Sequence, residues 1–208
     1  MTEPLPIGVL ASGAGTNLQA LIDQVHGREA QIVAVASNRP DAPALDRAER
    51  AGIAREAFPL RPGEDRSQRD ERMAGWLLAR RARLIVLAGY MQLLGPSFLD
   101  RFPDAVINVH PSLLPAFPGL GAIEQALAYG ARVFGVSVHF VDGGIDTGPL
   151  ILQEAIAVPE AREPGDVLAA LRPLEHALLP EAVRLYARGA LRRDPANPRR
   201  ILVLPPDR

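Results

Sequence analysis

Short apolar runs alternate with helix-spaced apolar positions along the first half of the chain. The apolar runs predict strands at residues 6–11, 31–37, 53–58, 84–88 and 105–109, and the spacing between them predicts helices at 18–22, 42–51 and within 61–81. The run LIVLA at 84–88 has no polar residue, which is typical of a strand buried on both faces of a parallel sheet. The alternation predicts an α/β fold: a Rossmann-like, mostly parallel sheet with helices on both faces.

The second half has a different pattern. Little helical sequence separates the apolar runs at 133–141 and 150–158, so we expect an antiparallel pair that extends the sheet toward its C-terminal side. Residues 166–188 predict a long helix that Pro173 and Pro180 should bend or interrupt. Residues 192–208 predict a loop with a peripheral strand or ordered tail, and the chain as a whole, 1–208, is expected to form a single domain.

Composition narrows the function classes. With 23 Lys plus Arg against 24 Asp plus Glu, the net charge is −1, so the chain lacks the basic excess by which nucleic-acid binding normally shows itself. The absence of cysteine excludes disulfides, thiolate catalysis and cysteine-based metal sites. The N-terminal residues do not resemble a signal peptide, and no apolar stretch approaches the roughly 18 to 20 residues of a membrane span. We therefore expect a cytoplasmic protein with no membrane or nucleic-acid partner.

A glycine-rich loop follows the first predicted strand. Residues 12–17 read SGAGTN, between a strand and a helix, where glycine backbone and helix N–H groups commonly bind phosphate. The Lys of a Walker loop is missing, and Leu18 replaces the third glycine of the dinucleotide-binding fingerprint. An ordinary strand-to-helix turn with capping residues would have the same composition, so both interpretations stay open.

A polar pair emerges from the end of the buried strand at 105–109. Asn108 and His110 alternate with Val109 and therefore point to the same side, and Pro111 ends the strand. Ligand crevices of open α/β sheets lie outside the carboxyl ends of strands. A lone histidine is more often structural, but this pair is followed by three prolines within residues 111–118, which favours a functional site.

A glycine-rich loop between the two later strands carries Asp142 and Asp146. Both can be simple turn formers. The functional hypothesis is that Asp146 reaches His110, favours its charged form and orients the ring. On this hypothesis Asn108, His110 and Asp146 would form a catalytic trio without a strong nucleophile. Such a trio suits stabilisation of an oxyanion and proton transfer, with the substrate supplying the attacking group and no metal needed.

These motifs resemble those of a known family. The run NVHPSLLP at 108–115 and the run DTGP at 146–149 are similar to the hallmark motifs of the folate-dependent formyltransferases. The loop at 12–17 with the LQAL that follows resembles the phosphate loop of one branch, the glycinamide ribonucleotide formyltransferases of purine synthesis. The resemblance extends from Ile7 to about Tyr186.

The resemblance implies a reaction. The amine of glycinamide ribonucleotide attacks the formyl carbon of 10-formyltetrahydrofolate, the co-substrate, and both substrates are small molecules. Asn108 would hydrogen-bond the oxyanion, and His110, held protonated by Asp146, would stabilise it and help to transfer protons. The residues up to about 100 would then bind phosphate, those at about 101–190 would bind folate and carry out catalysis, and 191–208 would be a peripheral tail. The family leaves monomer and homodimer both open.

The resemblance also implies binding residues. The ribonucleotide and its phosphate would contact Gly15, Thr16, Asn17 and Glu175. The folate would contact Arg66, Met91, Gln92, Leu93, Leu94, Asn108, Asp142, Gly143, Gly144, Ile145 and Asp146. Without the family, Glu175 would be taken as a solvated helix residue and Arg66 as surface charge. The family further implies a cis peptide bond at Leu114–Pro115.

Three departures from the family pattern bear on folate binding. Gln92 replaces an arginine, Ala116 replaces a common lysine, and residues 121–123 replace a His-Thr-His-like stretch. None of them touches the trio, so the predicted reaction type is unchanged.

Related chemistry offers alternatives. Methionyl-tRNA formyltransferases need a further C-terminal domain, whereas fewer than 65 residues follow Asp146 here. Formyltetrahydrofolate hydrolases usually begin with a regulatory domain that is absent from this sequence. A non-catalytic binding protein would be expected to have lost part of the trio, and all three residues are present.

Overall fold

The computed structural model describes residues 3–205. Residues 1, 2 and 206–208, which are the ends of the predicted domain and of the predicted tail, lie outside the described residues. The chain divides into two compact units. The first ends at Asn108 and the second begins at Val109, so the boundary falls inside a strand, and each unit is described by itself.

The first unit is a parallel α/β layer. Its strands are β1 (Leu5–Leu10), β2 (Ala30–Ser37), β3 (Arg55–Ala57), β4 (Leu84–Leu87) and β5 (Val106–His110), the last of which crosses the boundary. Its helices are α1 (Thr16–Gln24), α2 (Pro43–Arg50), α3 (Arg66–Ala79) and α4 (Pro96–Leu99). The strand order is β3-β2-β1-β4-β5, and each neighbouring pair is parallel. The predicted parallel α/β architecture is confirmed.

Local sequence explains where these elements begin and what they bury. All four residues of β4 are buried, as the wholly apolar run predicts. Helix α3 begins at a capping box, in which the Gln68 N–H donates to Asp65 Oδ1 at 2.9 Å and the Asp65 N–H donates to Gln68 Oε1 at 3.0 Å. Such a cap stabilises a helix by about 1 kcal/mol. Because β1 and β4 are parallel neighbours, the loops after them meet at one edge.

The second unit is mainly antiparallel. Its further strands are β6 (Val133–Phe140), β7 (Leu150–Ala157), β8 (Leu191–Asp194) and β9 (Asn197–Val203), and its helices are α5 (Ala122–Tyr129) and α6 (Pro164–Ala187). The order is β6-β7-β9-β8. The predicted antiparallel pair is confirmed by β6 and β7. The C-terminal residues form an antiparallel hairpin of β8 and β9, and Arg200 of β9 pairs with Leu150 of β7 in parallel.

We expected Pro173 and Pro180 to bend or interrupt the long helix, and an interruption is wrong. Helix α6 runs for 24 residues through Pro173 and Pro180. An interior proline costs about 3 kcal/mol, so the packing of α6 on β6 and β7, which buries Leu171 and Leu179, must offset that cost. A capping box and Pro164 in the first turn set the start of the helix.

The short helices α4 and α5 were not predicted. Helix α4 has four residues, too few to show a hydrophobic period. Helix α5 has eight residues and follows Gly121, whose left-handed conformation (φ 70°) begins the turn. Among the residues described, no helix is long and apolar enough to cross a membrane.

Candidate active site

The second unit brings His110 and Asp146 together. His110 ends β5 and is buried, and its Nδ1 lies 3.3 Å from Asp146 Oδ2. Its other ring nitrogen, Nε2, lies 2.9 Å from the carbonyl oxygen of Phe117. Both nitrogens face oxygen acceptors, so the ring donates to both only when each nitrogen carries a proton. The ring of His110 is therefore fixed from both of its nitrogens, by the Asp146 carboxylate and by the Phe117 carbonyl oxygen.

The carboxylate of Asp146 is held in its charged form. Burial opposes ionisation, but a hydrogen bond from His139, the Gly119 N–H and the charges of His110 and His139 outweigh it and lower the pKa of Asp146 to about 2. The Gly119 N–H donates to Asp146 Oδ2 at 2.8 Å. The backbone of Asp146 is left-handed (φ 51°), which is uncommon for a residue other than glycine. An unfavourable backbone conformation at a charged, partly buried side chain is typical of functional sites.

His139 is a site residue that sequence reasoning missed. It is buried on β6, its Nε2 lies 3.4 Å from Asp146 Oδ1, and its Nδ1 lies 2.8 Å from the Phe140 carbonyl oxygen. Asp146 therefore lies between two imidazoles, and each of its oxygens faces one of them. A signal was available: Ser137 and His139 alternate within the otherwise apolar strand VFGVSVHF, so both lie on one face.

A buried hydroxyl orders the segment after His110. Ser137 Oγ donates to the Ser112 carbonyl oxygen at 2.6 Å and accepts from the Leu114 N–H at 3.1 Å. Gln153 Nε2 donates to the same hydroxyl at 2.9 Å and to the Leu114 carbonyl oxygen at 2.8 Å. The Leu114–Pro115 bond is cis, as the resemblance implied. Strands β6 and β7 thus fix the backbone that leads to Phe117.

The loop that carries Asp142 and Asp146 is tied internally and to the C-terminal hairpin. Asp142 Oδ1 accepts from Thr147 Oγ1 at 2.5 Å and from the Gly144 N–H at 3.0 Å. These contacts match the alternative in which Asp142 forms a turn. Arg199 of β9 donates from Nη2 to the Thr147 carbonyl oxygen at 2.8 Å. The tail therefore contacts the residue next to Asp146, which the sequence did not predict.

Glu175 and Arg66 differ in burial. Glu175 lies on α6 and is only 9% exposed, so it is not the solvated helix residue of the alternative interpretation. Arg66, the first residue of α3, is exposed, which fits the surface-charge alternative.

The glycine loop of the first unit leads into helix α1 without a side-chain cap. Gly15 precedes α1 in a left-handed conformation (φ 72°), and no side chain caps the helix. A Cβ on Gly15 would lie 2.8 Å from atoms of Ala44, so α2 leaves room only for glycine. Thr16 is partly exposed and Asn17 is buried. The first turn of a helix carries a partial positive charge, which is the physical basis of the predicted phosphate site.

Ser12 connects this loop to two others and was also missed. Its Oγ donates to Asn38 Oδ1 at 2.5 Å and accepts from the Met91 N–H at 2.8 Å. Its own N–H donates to the Gly89 carbonyl oxygen at 3.0 Å. The glycine loop and the Met91–Leu94 segment, predicted separately, are therefore joined through one hydroxyl.

The remaining predicted residues lie at the ends of β4 and β5. Met91 and Leu93 are 59% and 54% exposed, while Gln92 is partly buried. Asn108 is partly buried, two residues before His110 on the same strand. Within residues 3–205, no group of three or more His, Asp or Glu side chains is placed to hold a metal ion.

Comparison with known proteins decides the family. The model of the formyl transferase family matches residues 6–183. The chain belongs to the formyl transferase family. This formyl transferase is 38% identical over 188 residues to the phosphoribosylglycinamide formyltransferase of Escherichia coli K12, covering 89% of each chain.

Two further relatives extend the comparison. This formyl transferase is similar to the crystal structure of glycinamide ribonucleotide transformylase 1 from Symbiobacterium toebii, at 42% identity and a TM-score of 0.91, covering 97% of this chain and 95% of that one. It is 39% identical over 191 residues to the trifunctional purine biosynthetic protein adenosine-3 of Drosophila pseudoobscura pseudoobscura. That match covers 90% of this chain but spans only 14% of the insect protein's length.

Proposed function

We propose that this formyl transferase moves the formyl group of 10-formyltetrahydrofolate to the amine of glycinamide ribonucleotide, in purine biosynthesis. The observation that carries the proposal is the distance of 3.3 Å between His110 Nδ1 and Asp146 Oδ2. Asn108 lies two residues before His110 on β5. The names of the similar bacterial enzymes support the choice of ribonucleotide.

The reaction begins when the amine attacks the formyl carbon and the carbonyl π electrons move to oxygen. The resulting oxyanion accepts a hydrogen bond from the Asn108 amide and is stabilised by the positive charge of His110. Asp146, whose pKa is lowered to about 2, is ionised at neutral pH, and its negative charge stabilises positive charge on the imidazole. The tetrahedral intermediate collapses when the bond from carbon to the folate nitrogen breaks, the amine loses a proton and the folate nitrogen gains one. His110 assists this proton transfer.

Binding is assigned to separate groups. Gly15, Thr16 and Asn17 bind the substrate phosphate through backbone and side-chain donors at the start of α1. Glu175 accepts from the glycinamide end. Residues 91–94, Arg66, Asn108 and residues 142–146 contact the folate. No step of this scheme calls for a metal ion, because the substrate amine is itself the nucleophile.

The test is a spectrophotometric assay of purified protein with a 10-formyl folate, with glycinamide ribonucleotide present or omitted. Deformylation that requires the ribonucleotide and yields a formylated product is the expected result. Equal deformylation without the ribonucleotide would point to a hydrolase, and no reaction under either condition would contradict the proposal and favour a non-catalytic binding protein. A ribonucleotide without the glycinamide amine is the matched control, since it keeps the phosphate but lacks the nucleophile.

A further inference from the structure

Helix α3 carries a buried ion pair that the proposed reaction does not use. The side chains of Arg69 and Asp70 are 2% and 0% exposed. Arg69 donates to Asp70 Oδ1 from Nε at 3.0 Å and from Nη2 at 2.7 Å. Burying two charges is costly, and apolar residues of the same size often stabilise a fold equally well. The contacts that the pair makes beyond itself therefore need an explanation.

Those contacts reach one segment, residues 90–95, between β4 and α4. Asp70 Oδ2 accepts from the Gly95 N–H at 3.0 Å, and Arg69 Nη1 donates to Gln92 Oε1 at 3.5 Å. Tyr90 lies close enough to feel both charges: burial raises its pKa to about 12, Arg69 lowers it and Asp70 raises it further. The pair thus interacts with the segment at its start (Tyr90), in its middle (Gln92) and at its end (Gly95).

The residues between these attachment points are the exposed ones. Met91 and Leu93 present large apolar side chains to solvent, at 59% and 54% exposure, although the segment is held at Met91 by Ser12 and at Gly95 by the buried Asp70. Exposed apolar side chains on a fixed support are characteristic of a ligand surface. Because the oxygen of Gln92 accepts from Arg69, its amide N–H2 group is the part that remains to donate to a ligand.

We propose that Arg69 is a positioning residue for the formyl donor: through Asp70 and Gln92 it keeps residues 91–94 in the conformation that binds the folate. The inference rests on the proposed function, which supplies the ligand. It also accounts for Gln92, where the resemblance led us to expect an arginine. A second cation there would lie against the Arg69 guanidinium, whereas a glutamine offers that guanidinium an acceptor.

The experiment measures binding of a non-reactive 10-formyl folate analogue by titration calorimetry, alongside steady-state kinetics. Arg69→Lys keeps a cation for Asp70 but loses the planar fork that reaches Gln92. Gln92→Leu removes the acceptor from a partly buried position and should leave the fold intact. We expect each change to raise the Kd for the analogue and the KM for the formyl donor roughly tenfold. The value of kcat and the KM for the ribonucleotide should stay within about twofold.

The double variant and a matched control separate positioning from general damage. If Arg69 acts through Gln92, Arg69→Lys with Gln92→Leu should bind the analogue no more weakly than Gln92→Leu alone. Arg72→Lys, three residues along α3 at an arginine paired with Glu64, should leave every parameter unchanged. An unchanged Kd in Gln92→Leu, or effects that multiply in the double variant, would overturn the inference while leaving the reaction established. A wild-type protein that does not bind the analogue would instead refute the proposed function.

Discussion

The two units of this formyl transferase place different kinds of polar group at their predicted sites. The glycine loop of the first unit offers backbone N–H groups, Thr16 and Asn17, none of which changes charge near neutral pH. The second unit offers a partly buried carboxylate between two imidazoles, His110 and His139. Fixed neutral donors suit recognition of an anion that stays charged, whereas titratable groups suit a reaction in which charge and protons move.

This contrast predicts which kinetic parameter each region controls. Groups that act on charge developing in the transition state affect kcat, while groups that bind substrate and transition state equally affect KM. Variants in the second unit should therefore lower kcat, and variants in the glycine loop should raise KM.

The largest effect is expected at His110. His110→Ala removes the cation beside the oxyanion, so kcat should fall by roughly a thousandfold while both KM values change by less than about threefold. Steady-state kinetics with both substrates varied gives the three values. His26→Ala is the control: His26 accepts from the Ile32 N–H at 3.0 Å in the first unit, and its loss should affect melting temperature and not kcat. Wild-type turnover in His110→Ala would show that His110 does not stabilise the oxyanion.

Asp146→Asn should have the next largest effect. The amide keeps the shape but no longer favours the charged imidazole, so kcat should fall by roughly a hundredfold with little change in KM. His110 remains in place, which is why we expect a smaller loss than in His110→Ala. If Asp146→Asn instead raised the KM for the ribonucleotide and preserved kcat, the difference in kinetic role between the two units would be contradicted.

Asp146 also predicts a pH dependence of stability. Its pKa is lowered from 3.8 to about 2 on folding, so the unfolded chain binds the proton first. The stabilisation by the carboxylate is complete above about pH 4 and is lost as the pH falls toward 2. Urea unfolding of wild type and Asp146→Asn should show a difference in unfolding free energy at pH 6 that shrinks between pH 4 and pH 2. A difference that stays constant over this range would mean that the carboxylate is not held charged by its neighbours.

Changes in the glycine loop should be smaller and of the other kind. Thr16→Ala or Asn17→Ala should raise the KM for the ribonucleotide roughly tenfold and leave kcat and the KM for the formyl donor within about twofold. Asp23→Asn, at the far end of α1, serves as the matched control. If the change appeared only in the folate dependence, the phosphate would have been placed on the wrong loop.

The smallest effect is expected at the C-terminal hairpin. Arg199 is exposed and holds the Thr147 carbonyl oxygen through one hydrogen bond, next to Asp146. Arg199→Ala should lower kcat by about two- to threefold, since a single exposed hydrogen bond contributes about 1 kcal/mol or less. Arg192→Ala in the same hairpin should have no effect. Equal losses in both variants would show that the hairpin acts only on stability.

Much of the fold followed from hydrophobic periodicity. The buried run of β4 and the paired runs of β6 and β7 were predicted because burial on two faces and antiparallel pairing leave local patterns. The long helix α6 was predicted too, but its passage through Pro173 and Pro180 without interruption was not, because the packing that offsets the cost of these prolines involves residues distant in sequence. Helix α4 was not predicted because four residues are too few to show a hydrophobic period.

Sequence alone determined which residue types are available for chemistry. Asn108 and His110 share one side of a strand by the two-residue alternation of strands, and the glycines before α1 are read directly from the chain. Only the tertiary structure decided what those residues meet. Three contacts join residues that are at least 7 positions apart: His139 with Asp146, Ser12 with the Met91 N–H, and Arg69 with Gln92. Periodicity shows the face on which a side chain lies, but only folding brings the groups that contact that side chain. At Asp146 these groups are His139, His110 and the Gly119 N–H, and they lower its pKa to about 2 against the effect of burial.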